Sequence, residues 1–279
     1  MKITRRTWLA AAALAPAARL AAAARPDVRI GVTDWNLRLA GKIEALALAK
    51  SLGFEGVEVS LGRQAVDGKL PLADPAIQAR YVEESGKQGI PLAGTCLDIL
   101  HVNYLKNDKL GQKWVADAIP ITKKLKAAVI LLPFFGKGAI TETAEQDYVA
   151  GVLKEIAPEA EKQGITLGLE DTISAEANAR ILDLVNSKAL RIYYDVGNST
   201  NNGFDIYKEM RWLGKDRICQ VHLKDKPYIG EGSIDFPKVI AILAEIGYRG
   251  YMNLETSSPS GSIPDDMKKN LAVVRRLMA

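Results

Sequence analysis

Cysteine and histidine are both scarce in this chain. Its 279 residues contain two of each: Cys96 and Cys219, His101 and His222. Two cysteines exclude a disulfide framework as the source of stability. Both fall in apolar segments predicted as strands, the third and the seventh, and are expected as buried thiols, because a bridge would need those two strands to approach. Concentrated positive charge is also missing. The formal net charge is +4, and several basic residues lie in the first 25 positions, so the remainder is close to neutral. That excludes the basic face a nucleic-acid binder needs. No glycine-rich phosphate loop follows the first predicted strand, where the chain reads Val32-Thr33-Asp34-Trp35-Asn36. This argues against an open doubly wound nucleotide-binding sheet. The apolar run before Ala24 is too short, and too rich in alanine and proline, for a membrane span.

What stands at the N-terminus is a targeting pattern. Thr4-Arg5-Arg6-Thr7-Trp8-Leu9 precedes an alanine-rich stretch that ends at Ala24. Paired arginines, a modest apolar region and a small-residue end, in that order, predict a twin-arginine export signal over residues 1–24. Cleavage after Ala24 would send residues 25–279, already folded, to the periplasm or the medium. An ordinary helix with a basic start is the alternative.

From Val28 onward, short β-branched runs alternate with amphipathic stretches. Strands are predicted at Val28–Val32, Gly56–Ser60, Pro91–Cys96, Ala128–Pro133, Thr166–Glu170, Arg191–Asp195, Ile218–Leu223 and Tyr251–Glu255. Helices are predicted at Gly41–Leu52, Pro75–Gln88, Glu145–Gln163, Ala175–Asn186 and Phe236–Ile246, among others. Gly53, Gly89, Gly164 and Gly247 stand where helices must stop before a strand. Strands alternating with helices make a parallel sheet. Eight such units in roughly 250 residues predict a closed (β/α)₈ barrel of α/β class in a single domain. No linker or second domain interrupts it.

Active sites of such barrels lie at the C-terminal ends of the strands. Four consecutive predicted strands each close on an acid or an imidazole: Leu169-Glu170, Tyr194-Asp195, Val221-His222 and Leu254-Glu255. Neighbouring strands lie ~4.8 Å apart, so side chains from half a barrel can converge on one point. Three converging carboxylates repel one another, and a dication offsets the repulsion while the imidazole completes the donor set. Mn²⁺ suits this set first. Co²⁺, Zn²⁺, Fe²⁺ and Mg²⁺ remain compatible with it. Taken singly, each acid could be a helix cap or an ion-pair partner.

The segments Leu-Glu-Asp at 169–171, Tyr-Asp-Val-Gly-Asn at 194–198, Val-His-Leu-Lys-Asp at 221–225, Gly-Glu-Gly-Ser-Ile-Asp-Phe at 230–236 and Asn-Leu-Glu at 253–255 carry a resemblance. Together they resemble the xylose isomerase-like TIM-barrel superfamily, which includes sugar-phosphate isomerase/epimerases. The resemblance implies that Glu170, Asp195, His222 and Glu255 hold one divalent metal. It also implies that Glu170 and Glu255 form the acid/base pair of an isomerase or epimerase acting on a sugar or keto-sugar. It further suggests Glu176 as a substrate contact, although a first-turn acid favoured by the helix dipole explains that residue better. Three positions depart from the pattern: Asn198 and Tyr228 stand where many relatives keep His and Arg, and Gln220 where a second strand-7 His is common. With two histidines the chain cannot build a trinuclear nuclease site of the endonuclease IV kind.

The expected chemistry is proton abstraction beside a polarised carbonyl, leading to an enediolate. Reprotonation then gives epimerisation or isomerisation, and loss of a β-substituent makes the enzyme a lyase or dehydratase. A non-catalytic exported sugar-binding barrel is the third reading. Lys224, on the strand face of His222, is a candidate oxyanion or acid/base group. Trp35, Glu58, His101 and Asn198 are candidate substrate contacts, and Phe134-Phe135-Gly136 a candidate pocket wall. The partners expected are a small carbohydrate and, as an open alternative, a second copy of the chain. No nucleic acid and no stable membrane insertion are expected.

Overall fold

A computed structural model describes residues 27–279. The predicted export segment, residues 1–24, lies outside the described residues. The order is β1 (Asp27–Thr33), α1 (Glu44–Leu52), β2 (Gly56–Ser60), α2 (Pro75–Gln88), β3 (Leu92–Cys96), α3 (Lys109–Lys124), β4 (Val129–Pro133), α4 (Thr143–Gln163) and β5 (Thr166–Glu170). It continues with α5 (Ala175–Val185), β6 (Leu190–Asp195), α6 (Val196–Asn201), α7 (Ile206–Arg217), β7 (Ile218–Leu223), α8 (Phe236–Glu245), β8 (Arg249–Leu254) and α9 (Ile263–Met278). The eight strands are parallel and pair in sequence order, and β1 closes on β8, so the sheet is a barrel with no free edge. The fold is a single-domain (β/α)₈ barrel.

Local chemistry explains the punctuation. Gly53, Gly89, Gly164 and Gly247 all have positive φ and stop their helices or turn the chain into the next strand. The helix predicted from Gly41 begins at Glu44 instead, because Gly41 itself has φ +67° and its N–H donates to Asp34 Oδ2. At N-termini, Asp74, Asp108, Ser174 and Asp205 accept hydrogen bonds from the next backbone N–H groups. These caps satisfy donors a helix start leaves free.

The apolar core fills the ring between barrel and helices. Val57 and Val59 on β2 and Val221 and Leu223 on β7 are fully buried on its outward side. Alternation along the strands then turns Glu58 and His222 into the barrel. Both cysteines are free thiols: Cys96 is buried and Cys219 partly buried. The loop after β7 is pinned by Asp225, whose Oδ2 accepts from the N–H groups of Gly230 and Gly232. No helix among the described residues is long and apolar enough to cross a membrane.

Candidate functional site

Glu170 is the last residue of β5, Asp195 the last of β6, His222 the second-last of β7, and Glu255 follows β8. The pairing sets Asp195 level with His222. One donor atom from each of the four lies within 4.8 Å of all the others. His222 Nδ1 is 2.9 Å from Glu170 Oε1, 3.4 Å from Glu255 Oε2 and 3.8 Å from Asp195 Oδ2. Asp195 also caps α6, its Oδ1 accepting from the N–H groups of Gly197 and Asn198. This bonding leaves its other oxygen free for the centre.

The donor set fits a divalent cation. Asp195 Oδ2 and Glu255 Oε2 are buried and lack a well-aligned hydrogen bond. The ammonium of Lys224 stands 2.9 Å from the first and 2.5 Å from the second. Burial pushes the Glu170 carboxyl up to about 8; the His222 ring opposes this, and Glu255 and Asp195 add to it. Burial also raises Asp195, against the pull of Lys224. For Glu255, burial is outweighed by His222 and Lys224, which hold it down to about 2. Burial alone would lower the His222 pKa, but Glu170, Glu255 and Glu58 raise it well above the ordinary imidazole value. Acids and bases whose affinities are driven apart in this way mark functional sites.

A cavity of about 350 Å³ opens above the cluster, lined by Trp35, Arg63, Cys96, Asp98, His101, Leu131, Pro133, Phe135, Glu170, Asn198, Lys224 and Glu255. Its volume is at the small end of the range for ligand pockets. A larger depression of about 720 Å³ lies around Leu190, Arg191 and Arg217, at the opposite end of the barrel from the donors. Chemistry in this fold belongs to the C-terminal end, so the smaller cavity is the candidate site.

The structure brings most of the predicted contacts to this cavity. Trp35 donates its indole N–H to Glu255 Oε1 at 3.0 Å. Lys224 Nζ donates to Asn198 Oδ1 at 3.1 Å. His101, in the short turn Asp98–His101, stacks on Phe135 with ring centroids 6.2 Å apart. Burial, with help from Arg63, lowers its pKa. Phe134, by contrast, is part of the core.

Two predicted contacts are elsewhere. Glu58 does not reach the cavity: it is fully buried beneath His222 and accepts from Nε2 at 2.8 Å. Its place near the middle of β2 sets it deeper than a strand-end residue. Glu176 is exposed in the first turn of α5, outside the cavity lining, where a helix start favours an acid. Tyr228 turns away as well, donating to Asp266 Oδ1 at 2.7 Å.

Arg63, Asp98, Cys96 and Leu131 were not among the predicted contacts. Arg63 and Asp98 follow the ends of β2 and β3, so strand-end inspection extended to those strands would find them. Cys96 and Leu131 read as core because strand alternation does not say how deep an inward side chain sits.

Residues 46–277 match the family described as xylose isomerase-like TIM barrel. The chain belongs to this family. Among relatives of the family, a 2-epi-5-epi-valiolone 7-phosphate 2-epimerase of Actinoplanes sp. is 28% identical over 71% of this chain and 73% of its own. An L-ribulose-5-phosphate 3-epimerase of Salmonella paratyphi A is 26% identical over 80% of this chain and 84% of its own. The solved D-psicose 3-epimerase of Clostridium cellulolyticum superposes with a TM-score of 0.77 at 15% identity, covering 90% of this chain and 99% of that one. At that identity the likeness speaks for the fold alone.

Proposed function

We propose that this protein is a divalent-metal-dependent epimerase or isomerase of a small sugar or keto-sugar. One observation carries the reading: three carboxylates and an imidazole from four consecutive strands bring one donor atom each within 4.8 Å of one another, and two of them, Glu170 and Glu255, line a ligand-sized cavity. Relatives named as epimerases, one of them of L-ribulose 5-phosphate, support the same reaction class.

A divalent ion at Glu170, Asp195, His222 and Glu255 supplies Lewis-acid polarisation of a substrate carbonyl; Mn²⁺ matches the oxygen-rich donor set best. The proton work falls to the chain. Glu170 and Glu255 stand at the ends of strands separated by β6 and β7, so they flank the space between them. One removes the proton on the carbon beside the carbonyl, and the other returns a proton to the opposite face. Trp35 orients Glu255 through its indole N–H. Lys224 and Asn198 offer a cation and an amide to the substrate oxygens. Phe135 and Leu131 give an apolar wall that keeps bulk water from the abstracted proton. We further propose that residues 1–24 direct twin-arginine export, tested by replacing Arg5-Arg6 with Lys-Lys and following the periplasmic fraction.

Metal-loaded protein incubated with a panel of keto-sugars in deuterated water should place deuterium on the carbon next to the carbonyl of turned-over sugar. No exchange across the panel, with metal content confirmed, overturns the reading in favour of a binding barrel. A product lighter by the mass of water or of an aglycone reassigns the enzyme as a lyase.

A further inference from the structure

Below the metal donors the barrel interior is polar where TIM barrels ordinarily pack branched apolar side chains. Glu58 from β2, Tyr193 from β6, Gln220 from β7 and Asn253 from β8 are all buried there. Tyr193 Oη donates to Glu58 Oε2 at 2.8 Å. Asn253 Nδ2 donates to Tyr193 Oη at 2.6 Å and to Gln220 Oε1 at 2.8 Å. Gln220 Nε2 in turn donates to the Ala93 carbonyl at 2.6 Å. Gly31 on β1 makes room, since a side chain there would run into the Asn253 amide. Buried polar groups carry a desolvation cost, and well-packed apolar residues of similar volume would serve stability as well or better. This layer therefore calls for a role other than packing.

Its hydrogen bond to the candidate centre supplies that role. Glu58 Oε2 lies 2.8 Å from His222 Nε2, and neither side chain is exposed, so no solvent can take the carboxylate's place. A carboxylate can only accept here, which keeps a proton on Nε2. The imidazole has one further nitrogen, and its lone pair is then available at Nδ1, the atom that faces Glu170, Asp195 and Glu255. The Tyr193 ring, 4.5 Å from the His222 ring by centroids, and the Trp35 edge at 6.0 Å fix the ring plane.

We infer that Glu58 is the positioning residue of the metal centre: it holds the Nε2 proton of His222 so that Nδ1 binds the ion, and Tyr193, Gln220 and Asn253 hold Glu58. The inference rests on His222 being a metal ligand, as proposed above. Outer carboxylates of this kind typically contribute 10–100-fold to metal affinity.

The test is a divalent-ion titration of wild type, Glu58→Gln and Tyr193→Phe, read by competition with a chromophoric chelator. It is joined to ¹⁵N imidazole spectra of the protein loaded with ¹¹³Cd²⁺. With only two histidines in the chain, His101→Gln assigns the spectrum at once. Wild type should show a protonated Nε2 and cadmium coupling to Nδ1. Glu58→Gln should bind metal 10–100-fold more weakly, with its Nε2–H signal shifted upfield, and Tyr193→Phe should weaken binding in the same direction by less. Equal affinities in all three proteins, or cadmium coupled to Nε2, overturn the inference while leaving the metal site standing. Wild type that binds no divalent ion overturns the metal reading and this inference with it. Should Glu58→Gln fail to fold, the wild-type spectrum and Tyr193→Phe still decide.

Discussion

The ammonium of Lys224 lies 2.9 Å from Asp195 Oδ2, and Gly197 is what lets it get there. A Cβ at Gly197 would stand 2.8 Å from the Lys224 Cβ and 2.9 Å from its Cγ. Burial opposes the charge on Lys224, but Asp195, Glu255 and Glu170 more than restore it and raise its pKa. Without metal, Lys224 is therefore the countercharge of the carboxylate cluster. A dication bound at the proposed site would displace it toward Asn198, whose Oδ1 it already reaches at 3.1 Å. Lys224→Met should destabilise the metal-free protein by about 3 kcal/mol, because it strands buried carboxylates, yet bind divalent metal at least about tenfold more tightly. Thermal melts with chelator and metal titration measure the two effects. Weaker metal binding by the variant would show that the ammonium belongs to the loaded site.

The raised acids give the metal-free protein a particular pH dependence. Glu170 titrates at about 8 in the fold against an ordinary 4.5. Between those values the folded state carries the extra proton, so its contribution to stability falls as pH rises through the window. His222, raised above 6.5, works in the same direction: its contribution is full below that value and lost as pH climbs through the folded one. Metal must expel these protons, so apparent affinity should strengthen from about pH 5 to about pH 8, with protons released to the buffer. Calorimetry in two buffers of different ionisation enthalpy counts them. Affinity flat across that range would refute this account. Glu170→Gln should flatten the chelated protein's stability profile between about pH 5 and pH 8.

The barrel was legible because its signals are local. The predicted bounds of β2, β5 and β7 match the structure, and the glycine stops stand where left-handed backbone is needed. The convergence of Glu170, Asp195, His222 and Glu255 was legible for a related reason: each ends an apolar run, and parallel pairing puts such ends side by side. Depth was not legible. Alternation along Gly-Val-Glu-Val-Ser places Glu58 inside the barrel, but nothing local says whether it meets solvent or seals against His222. Arg63 and Asp98 line the cavity from just past the ends of β2 and β3, outside the four strand ends where an acid or imidazole closes an apolar run. The helix α3 is masked by its own Gly111 and Pro120. Gly111 is where the helix passes the loop backbone, with a Cβ there coming within 2.7 Å of the Asn103 carbonyl oxygen.

Close packing under the site makes another position sensitive. A Cβ on Gly168 of β5 would lie 2.8 Å from Cys219 Sγ and 3.1 Å from Tyr193 Cβ. Gly168→Ala should therefore cost about 1–3 kcal/mol of stability by urea unfolding. Because Tyr193 packs against His222, it should weaken metal binding as well. Cys219→Ala removes one of the two collisions, so the double variant should recover part of the loss. Additive losses in the double variant would mean that the two positions do not meet.

The proposed function gives Glu170 and Glu255 two duties each, to hold metal and to move a proton, and the two can be separated. Glu170→Gln and Glu255→Gln keep a carbonyl oxygen that can still touch an ion but remove the basic oxygen. Each should lower turnover by about 10²–10⁴-fold, the range for loss of a general acid or base. If only ligation were lost, saturating metal would restore the rate, and the deuterium pattern of the product would be unchanged. If proton transfer is lost, turnover stays low at full metal occupancy. The two variants then also differ. The one lacking the abstracting base fails to exchange the substrate proton with solvent. The one lacking the returning acid still washes deuterium into recovered substrate without making product. Occupancy by metal analysis, exchange by NMR and product by chromatography give three independent readings. A rate recovered by metal alone in both variants would leave the glutamates as ligands only, and the proton carriers would have to be sought among Lys224 and His101.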